Sequence, residues 1–299
     1  MRRAASLVLR TLALGFVLFI GLSIAAVLSG VAQSGAKASA GVSPAPAQDG
    51  VWALLLSCLA IAVVFSWMTL RSRLAGWQLV GAIFLAYFGL GTFLPQIESV
   101  VFLSRHLPPG FPPRLFVMGA LSGAVFAPAV AWLVRRRGAG KSPEPTPRRV
   151  APIGWRPLAL LAAAYVAAYF LAGYFIAYHN PALIAYYDDT DPGSFFAQVG
   201  KIWTRVPWLF PFQAVRGVLF VACVTPFIIT FEGKRLELAV LIGCAYSVWA
   251  LMLLSPNPYM PESVRMSHLV ETGTSNFLFG CLVGALLGPV NPQRGPGGG

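Results

Sequence analysis

The chain has 299 residues, of which 57% are hydrophobic and only 11% charged, with a mean hydropathy of +0.70. A soluble globular domain carries about 25% charged residues, so this composition excludes a water-soluble enzyme or binding domain and points to a bilayer as solvent. The formal net charge of +12 does not by itself indicate nucleic acid, because the basic residues must first be set on a membrane topology.

Eight apolar segments follow one another, at about 11–31, 51–70, 75–95, 115–134, 157–178, 207–231, 236–255 and 268–290. Each is near the ~20 residues that cross ~30 Å of hydrocarbon. Continuous apolar runs of this length satisfy their backbone as helices, not as alternating barrel strands. The expected fold is therefore all-α: a polytopic transmembrane helix bundle of about eight spans. At the start, MRR, an apolar run and the small residues of SGVAQSGAKASA have the parts of a cleavable signal peptide. The run is longer than a usual signal core, so the first helix is expected to be retained; cleavage would leave seven spans in the same orientation. Cys58, Cys223, Cys244 and Cys281 all lie within apolar stretches without metal-like spacing and read as small packing residues.

With the N-terminus in the cytoplasm, fifteen of the 22 Lys and Arg residues fall inside, six fall outside, and Arg216 lies within a span. This positive-inside bias recurs loop after loop. It places the protein in a plasma (inner) membrane with both termini cytoplasmic, and it accounts for the high charge without nucleic acid as a partner. Residues 33–50 form a small-residue outer loop. Residues 136–155, rich in Pro, Arg and Gly, form a cytoplasmic linker. Its arginines would meet anionic lipid headgroups at about 1 kcal/mol each.

The halves on either side of that linker look related. RTLAL at 10–14 matches RPLAL at 156–160, PQIESV at 95–100 matches YMPESV at 259–264, and LFVMGALSGAV at 115–125 matches NFLFGCLVGAL at 276–286. Ordered self-similarity signals duplicated units. The expected organisation is a first four-helix half over 1–135, the linker over 136–155, a second four-helix half over 156–290, and a disordered Gly-rich tail over 291–299. An even number of spans per unit relates the halves by a pseudo-twofold along the membrane normal. Gly119/Gly123 and Gly280/Gly284 provide matching GxxxG ridges for close helix approach.

After the fifth segment, Asp188, Asp189 and Asp191 read as a turn and helix cap, since no EF-hand spacing follows. Phe195, Phe196, Val199, Ile202 and Trp203 then form an apolar face at helical spacing, expected to lie at the outer interface as a rim or lid. The eighth segment is the unusual one. Arg265, His268, Glu271 and Ser275 follow the three-and-four spacing of one helix face, with Glu271 on the order of 10 Å below the helix start. A carboxylate in lipid costs several kcal/mol, so this face should turn into the bundle. Arg216, ~12 Å from the outer end of its own span, is at a similar depth and is the expected partner of Glu271.

Glu98, Glu262 and His179 end spans on the same side. Together with His268 and Glu271 they would suit proton transfer or a metal around one outer cavity. HExxH, GxSxG and P-loop patterns are absent. So is the EExxxR pair of glutamic intramembrane proteases, because Glu98 is followed by Ser99. Three readings stay open: a permease or other ion- or solute-handling protein, with Glu271 as coupling carboxylate; an intramembrane hydrolase or transferase using the His/Glu cluster; and a scaffold or sensor whose polar cluster only pins helices. The substrate, any cofactor or metal, and self-association into a homo-oligomer are not specified by these residues.

Overall fold

Long apolar runs make helices whose polar backbone is satisfied internally. Such helices account for every span in the computed structural model, which describes residues 2–38, 47–103, 106–135, 153–191 and 193–289. In chain order these are α1 (Arg2–Leu28), α2 (Val31–Ala38), α3 (Ala47–Leu70), α4 (Gly76–Phe88), α5 (Leu94–Phe102), α6 (Phe111–Val134), α7 (Trp155–Phe175), α8 (Pro181–Tyr186), α9 (Phe195–Arg205), α10 (Leu209–Ile229), α11 (Arg235–Ser247) and α12 (Glu262–Leu287). Eight stretches are long and apolar enough to cross a membrane: Ala4–Leu28, Gln48–Leu70, Gly76–Phe102, Phe111–Val134, Trp155–His179, Leu209–Ile229, Arg235–Leu254 and Glu262–Leu287. The chain is thus an all-helical, multi-pass membrane protein. Most of the 136–155 linker, and the whole 291–299 tail, lie outside the described residues.

Three spans are irregular, and the fifth of the eight ends past α7 in a 3-10 turn, Ala177–His179. The third passes from α4 through a π-helical turn, Gly89–Phe93, into α5, with the Leu94 N–H bonded to the Gly89 carbonyl. Pro95 lacks an N–H and its ring crowds the preceding turn, so a widened turn is how the helix continues past it. The span expected to stop near residue 95 therefore runs on to Phe102. The seventh span ends as a 3-10 segment, Val248–Leu254.

Helix α1 lies on α3 and α6, α4 on α6, α7 on α10 and α12, and α11 on α12. Both GxxxG ridges are used. A Cβ at Gly280 would come within 2.6 Å of the Ile242 carbonyl, and one at Gly284 within 2.5 Å of Ala239 Cα. There the obstacle is backbone, which cannot rotate away, so only glycine permits this α11–α12 approach. The Gly119/Gly123 ridge meets the Thr92 and Tyr87 side chains of the third span. Aromatic layers fill the centre, with Phe65, Tyr87, Phe126 and Trp249 in one cluster and Tyr165, Phe220, Tyr246 and Phe279 in another. Tyr87 bonds the Ser122 hydroxyl at 3.0 Å and Tyr246 donates to the Phe220 carbonyl at 2.8 Å, whereas the buried Trp249 indole N–H has no partner among the described residues.

At one end the 71–73 and 231–235 connections lie antiparallel. Ser72 and Phe231 form an isolated β-bridge, and the described residues contain no strand. The Arg73 N–H bonds the Thr230 carbonyl and the Glu232 N–H bonds the Arg71 carbonyl. Arg71–Glu237 and Arg73–Glu232 ion pairs, at 2.5 and 2.7 Å, flank the bridge.

Candidate functional site: a tyrosine-lined cavity with two carboxylate centres

At the opposite end, α5, α7, α9, α10, α12 and the turn after α8 enclose a cavity of about 730 Å³, within the range typical of small-molecule sites. Helix α12 sets one wall. His268, Glu271, Thr272 and Ser275 recur at three- and four-residue spacing and all four line the cavity. Helix α7 sets the facing wall. Tyr165 and Tyr169 share one of its faces, Tyr174 stands about half a turn round from them, and Tyr178 sits in the 3-10 turn that follows, Ala177–His179; all four line the cavity.

The ionisable groups sort into three pairs. Arg216 on α10 is buried, with 5% of its side chain exposed, and its Nη2 donates to Glu98 Oε2 at 2.6 Å. Its Nη1 donates to Gln213 Oε1 at 2.8 Å. This departs from the expected Arg216–Glu271 pair. The reason is the π-turn: because the third span continues past Pro95, Glu98 is carried on a helical turn inside the bundle instead of capping the helix in water.

The Glu271 partner is one turn back on its own helix. Glu271 Oε2 lies 2.7 Å from His268 Nδ1, and His268 Nε2 lies 3.0 Å from the Tyr187 hydroxyl. A carboxylate at Nδ1 holds the proton on that nitrogen, leaving Nε2 to accept from Tyr187. Tyr187, Glu271 and His268 thus form a continuous hydrogen-bonded relay on the cavity wall. Burial, with Tyr186 and the Glu98 and Glu271 carboxylates nearby, pushes Tyr187 well above the ordinary tyrosine range, so its hydroxyl stays protonated and able to donate.

The third pair belongs to the roof. Lys201 on α9 contacts Asp189 in the turn after α8. Burial works against the Asp189 charge, but Lys201, the Thr190 N–H and the Tyr178 hydroxyl outweigh it and hold the carboxyl below its ordinary value of 3.8. The neighbouring Asp191 accepts from the Gly193 N–H at 2.9 Å, a turn as expected. Helix α9, capped by the Ser194 hydroxyl, turns Gln198, Lys201 and Arg205 to the cavity and leaves Phe196 and Trp203 exposed on its other side. Ile202, expected on the apolar outer face, lines the cavity.

Of the eight residues singled out from the sequence, Glu98, Arg216, His268, Glu271 and Ser275 line this cavity; Arg265, His179 and Glu262 do not. Arg265 points away and donates to the Leu253 and Leu254 carbonyls at 2.7 and 3.2 Å, closing the open C-terminal carbonyls of the 3-10 segment as basic groups do at helix ends. His179 is exposed, with Nδ1 3.1 Å from the Tyr174 carbonyl. Glu262 is exposed in the first turn of α12, where a carboxylate complements the helix dipole. Among the described residues, no group of three or more His, Cys, Asp or Glu side chains is gathered as a metal site. Sequence reasoning does not single out the tyrosines, Gln198 or Lys201: the five-residue step from Tyr169 to Tyr174 breaks the helical register, so their convergence on one cavity is visible only in three dimensions.

The chain matches no protein-family model, and comparison with curated proteins and with solved structures finds no match. What bears on function is therefore the chemistry of the cavity.

Proposed function

We propose that this protein is a permease-type, solute-handling membrane protein in which the Tyr187–His268–Glu271 relay couples solute binding to protonation. The observation that carries this reading is that relay: an imidazole between a carboxylate and a phenol, half-buried on the wall of a cavity large enough for a small molecule. Histidine is the side chain whose unperturbed titration falls in the physiological range, and intramembrane carboxylate–histidine chains are how proton relays are built in transporters. In this reading Glu271 is the coupling carboxylate, His268 its proton partner and Ser275 part of the wall. The Arg216–Glu98 pair holds α5 and α10 together behind them.

The two-half organisation belongs to the same proposal. Three of the main packing contacts within the first half have counterparts in the second: α1–α3 with α7–α10, α1–α6 with α7–α12, and α4–α6 with α11–α12. The antiparallel Ser72–Phe231 bridge joins loops that are equivalent in the repeat, which a twofold along the membrane normal would bring together. The cavity would then open to the outer face, opposite the basic 71–73 and 234–235 connections.

The test is reconstitution of the full chain into vesicles loaded with a pH-sensitive dye, challenged with a panel of small solutes. Solute-dependent proton movement that Glu271→Gln reduces at least tenfold is expected. No flux of proton or solute across the panel would sink the reading. A protein that keeps its activity as Glu271→Gln would make the polar cluster a helix clamp, as in a scaffold.

A further inference from the structure

The solute's chemical class can be read from the carboxylate in the cavity whose charge no basic side chain among the described residues balances. Three carboxylates and three basic side chains line the space, and two of each cancel locally, as Arg216 with Glu98 and Lys201 with Asp189. The remaining basic group, Arg205, is exposed at the last turn of α9, on the rim. The remaining carboxylate is Glu271, on the inner wall with 12% of its side chain exposed.

Only one oxygen of Glu271 is engaged. Oε2 meets His268 Nδ1, whereas Oε1 has no hydrogen-bond partner among the described residues and is not sealed from the cavity. With His268 neutral, both ring nitrogens are already satisfied, Nδ1–H by Glu271 and Nε2 by the Tyr187 hydroxyl. The interior of the cavity then carries one unbalanced negative charge. A half-buried carboxylate in a membrane protein without a cation is costly. The same cavity is lined by Tyr165, whose ring already faces the Arg216 guanidinium, and by Tyr169, Tyr174 and Tyr178, side chains that recognise ammonium groups by their electron-rich faces and oxygen lone pairs.

We propose that the cavity binds an organic cation, an ammonium or quaternary amine, with its charge at Glu271 Oε1 between α7 and α12 and its carbon groups against the α7 tyrosines. This rests on the solute-handling reading above and names the class of solute. Gly173 on α7 faces that oxygen: a Cβ there would lie 3.6 Å from Glu271 Oε1, so a larger side chain would take up the space in which an ammonium group meets it.

The test is calorimetric titration of the purified full chain in detergent with three probes: choline, its neutral carbon isostere 3,3-dimethylbutanol, and acetate. Choline is expected to bind saturably and the other two not at all. Glu271→Gln should weaken choline binding roughly tenfold or more, the scale of one charge-assisted contact. Gly173→Val should weaken it comparably, with an unchanged elution profile and melting temperature showing that the bundle is intact. Equal binding of the neutral isostere, binding of acetate alone, no binding of any probe, or full choline affinity in Glu271→Gln would each overturn the proposal. The two readings separate cleanly. Vesicle flux of an uncharged or anionic solute would keep the permease and remove the cation, whereas choline binding without flux would keep the site and remove the permease.

Discussion

The two ends of the bundle use the same chemistry to different effect. At the 71–73/231–235 end, Arg73 and Glu232 meet at 2.7 Å with 42% and 57% of their side chains exposed. At the cavity end, Arg216 and Glu98 meet at 2.6 Å with 5% and 29% exposed. Distance does not distinguish them; solvation does. The first pair exchanges water for a partner and gains little, because exposed pairs are worth about 0–1 kcal/mol. The second holds a guanidinium that has left water behind, so its partner cannot be removed without stranding a charge. One arrangement ties two loops together, and the other sets the back wall of a ligand-sized cavity.

The largest effect expected from this difference is at Glu98. Glu98→Gln should destabilise the protein by about 3 kcal/mol, the lower end for breaking a buried pair, since Glu98 itself keeps some access to solvent. Thermal unfolding in detergent measures it; a loss comparable to that of an exposed pair would erase the distinction between the two ends. Acid should act next, on the roof. Asp189 has its folded pKa depressed below 3.8, so the Lys201–Asp189 contact contributes stability that is full above that value and lost as pH falls through the lower folded one. Trp203 fluorescence should therefore stay constant down to about pH 5 and change below 3.8. A transition near pH 6 would assign the response to another group. The smallest effect belongs to Glu232→Gln, expected to cost less than about 1 kcal/mol and to shrink further in high salt. A cost near that of Glu98→Gln would mean the loop clamp is as buried as the cavity pair.

Much of the fold was legible because its cause is local. A run of apolar residues long enough to cross hydrocarbon has to be helical wherever its neighbours lie, and eight such runs were countable. The first and eighth spans begin six or seven residues earlier than expected, at Ala4 and Glu262, and the third ends seven later, at Phe102; the last of these is instructive. Pro95 signals a helix end in a linear reading, but a π-turn lets the third span continue, and that continuation carries Glu98 to Arg216. Likewise, the face of α12 was legible from spacing: His268, Glu271 and Ser275 line the cavity as their periodicity implied, whereas Arg265, on the same face one turn outside, is drawn off by the open carbonyls of residues 253 and 254. Spacing locates a side chain on its own helix and says nothing about which neighbour competes for it.

The residues alone determined that this is a membrane protein of eight helical spans, and that ionisable groups in its sixth and eighth spans needed partners, because the bilayer penalises bare backbone and bare charge whatever the fold. Which groups satisfied that need was decided only in three dimensions. Arg216 went to Glu98, His268 bridged Glu271 and Tyr187, and the fifth-span tyrosines closed around them. Hydrogen bonds and ion pairs act over a few ångströms, and only the packing of helices distant in sequence brings such partners within reach.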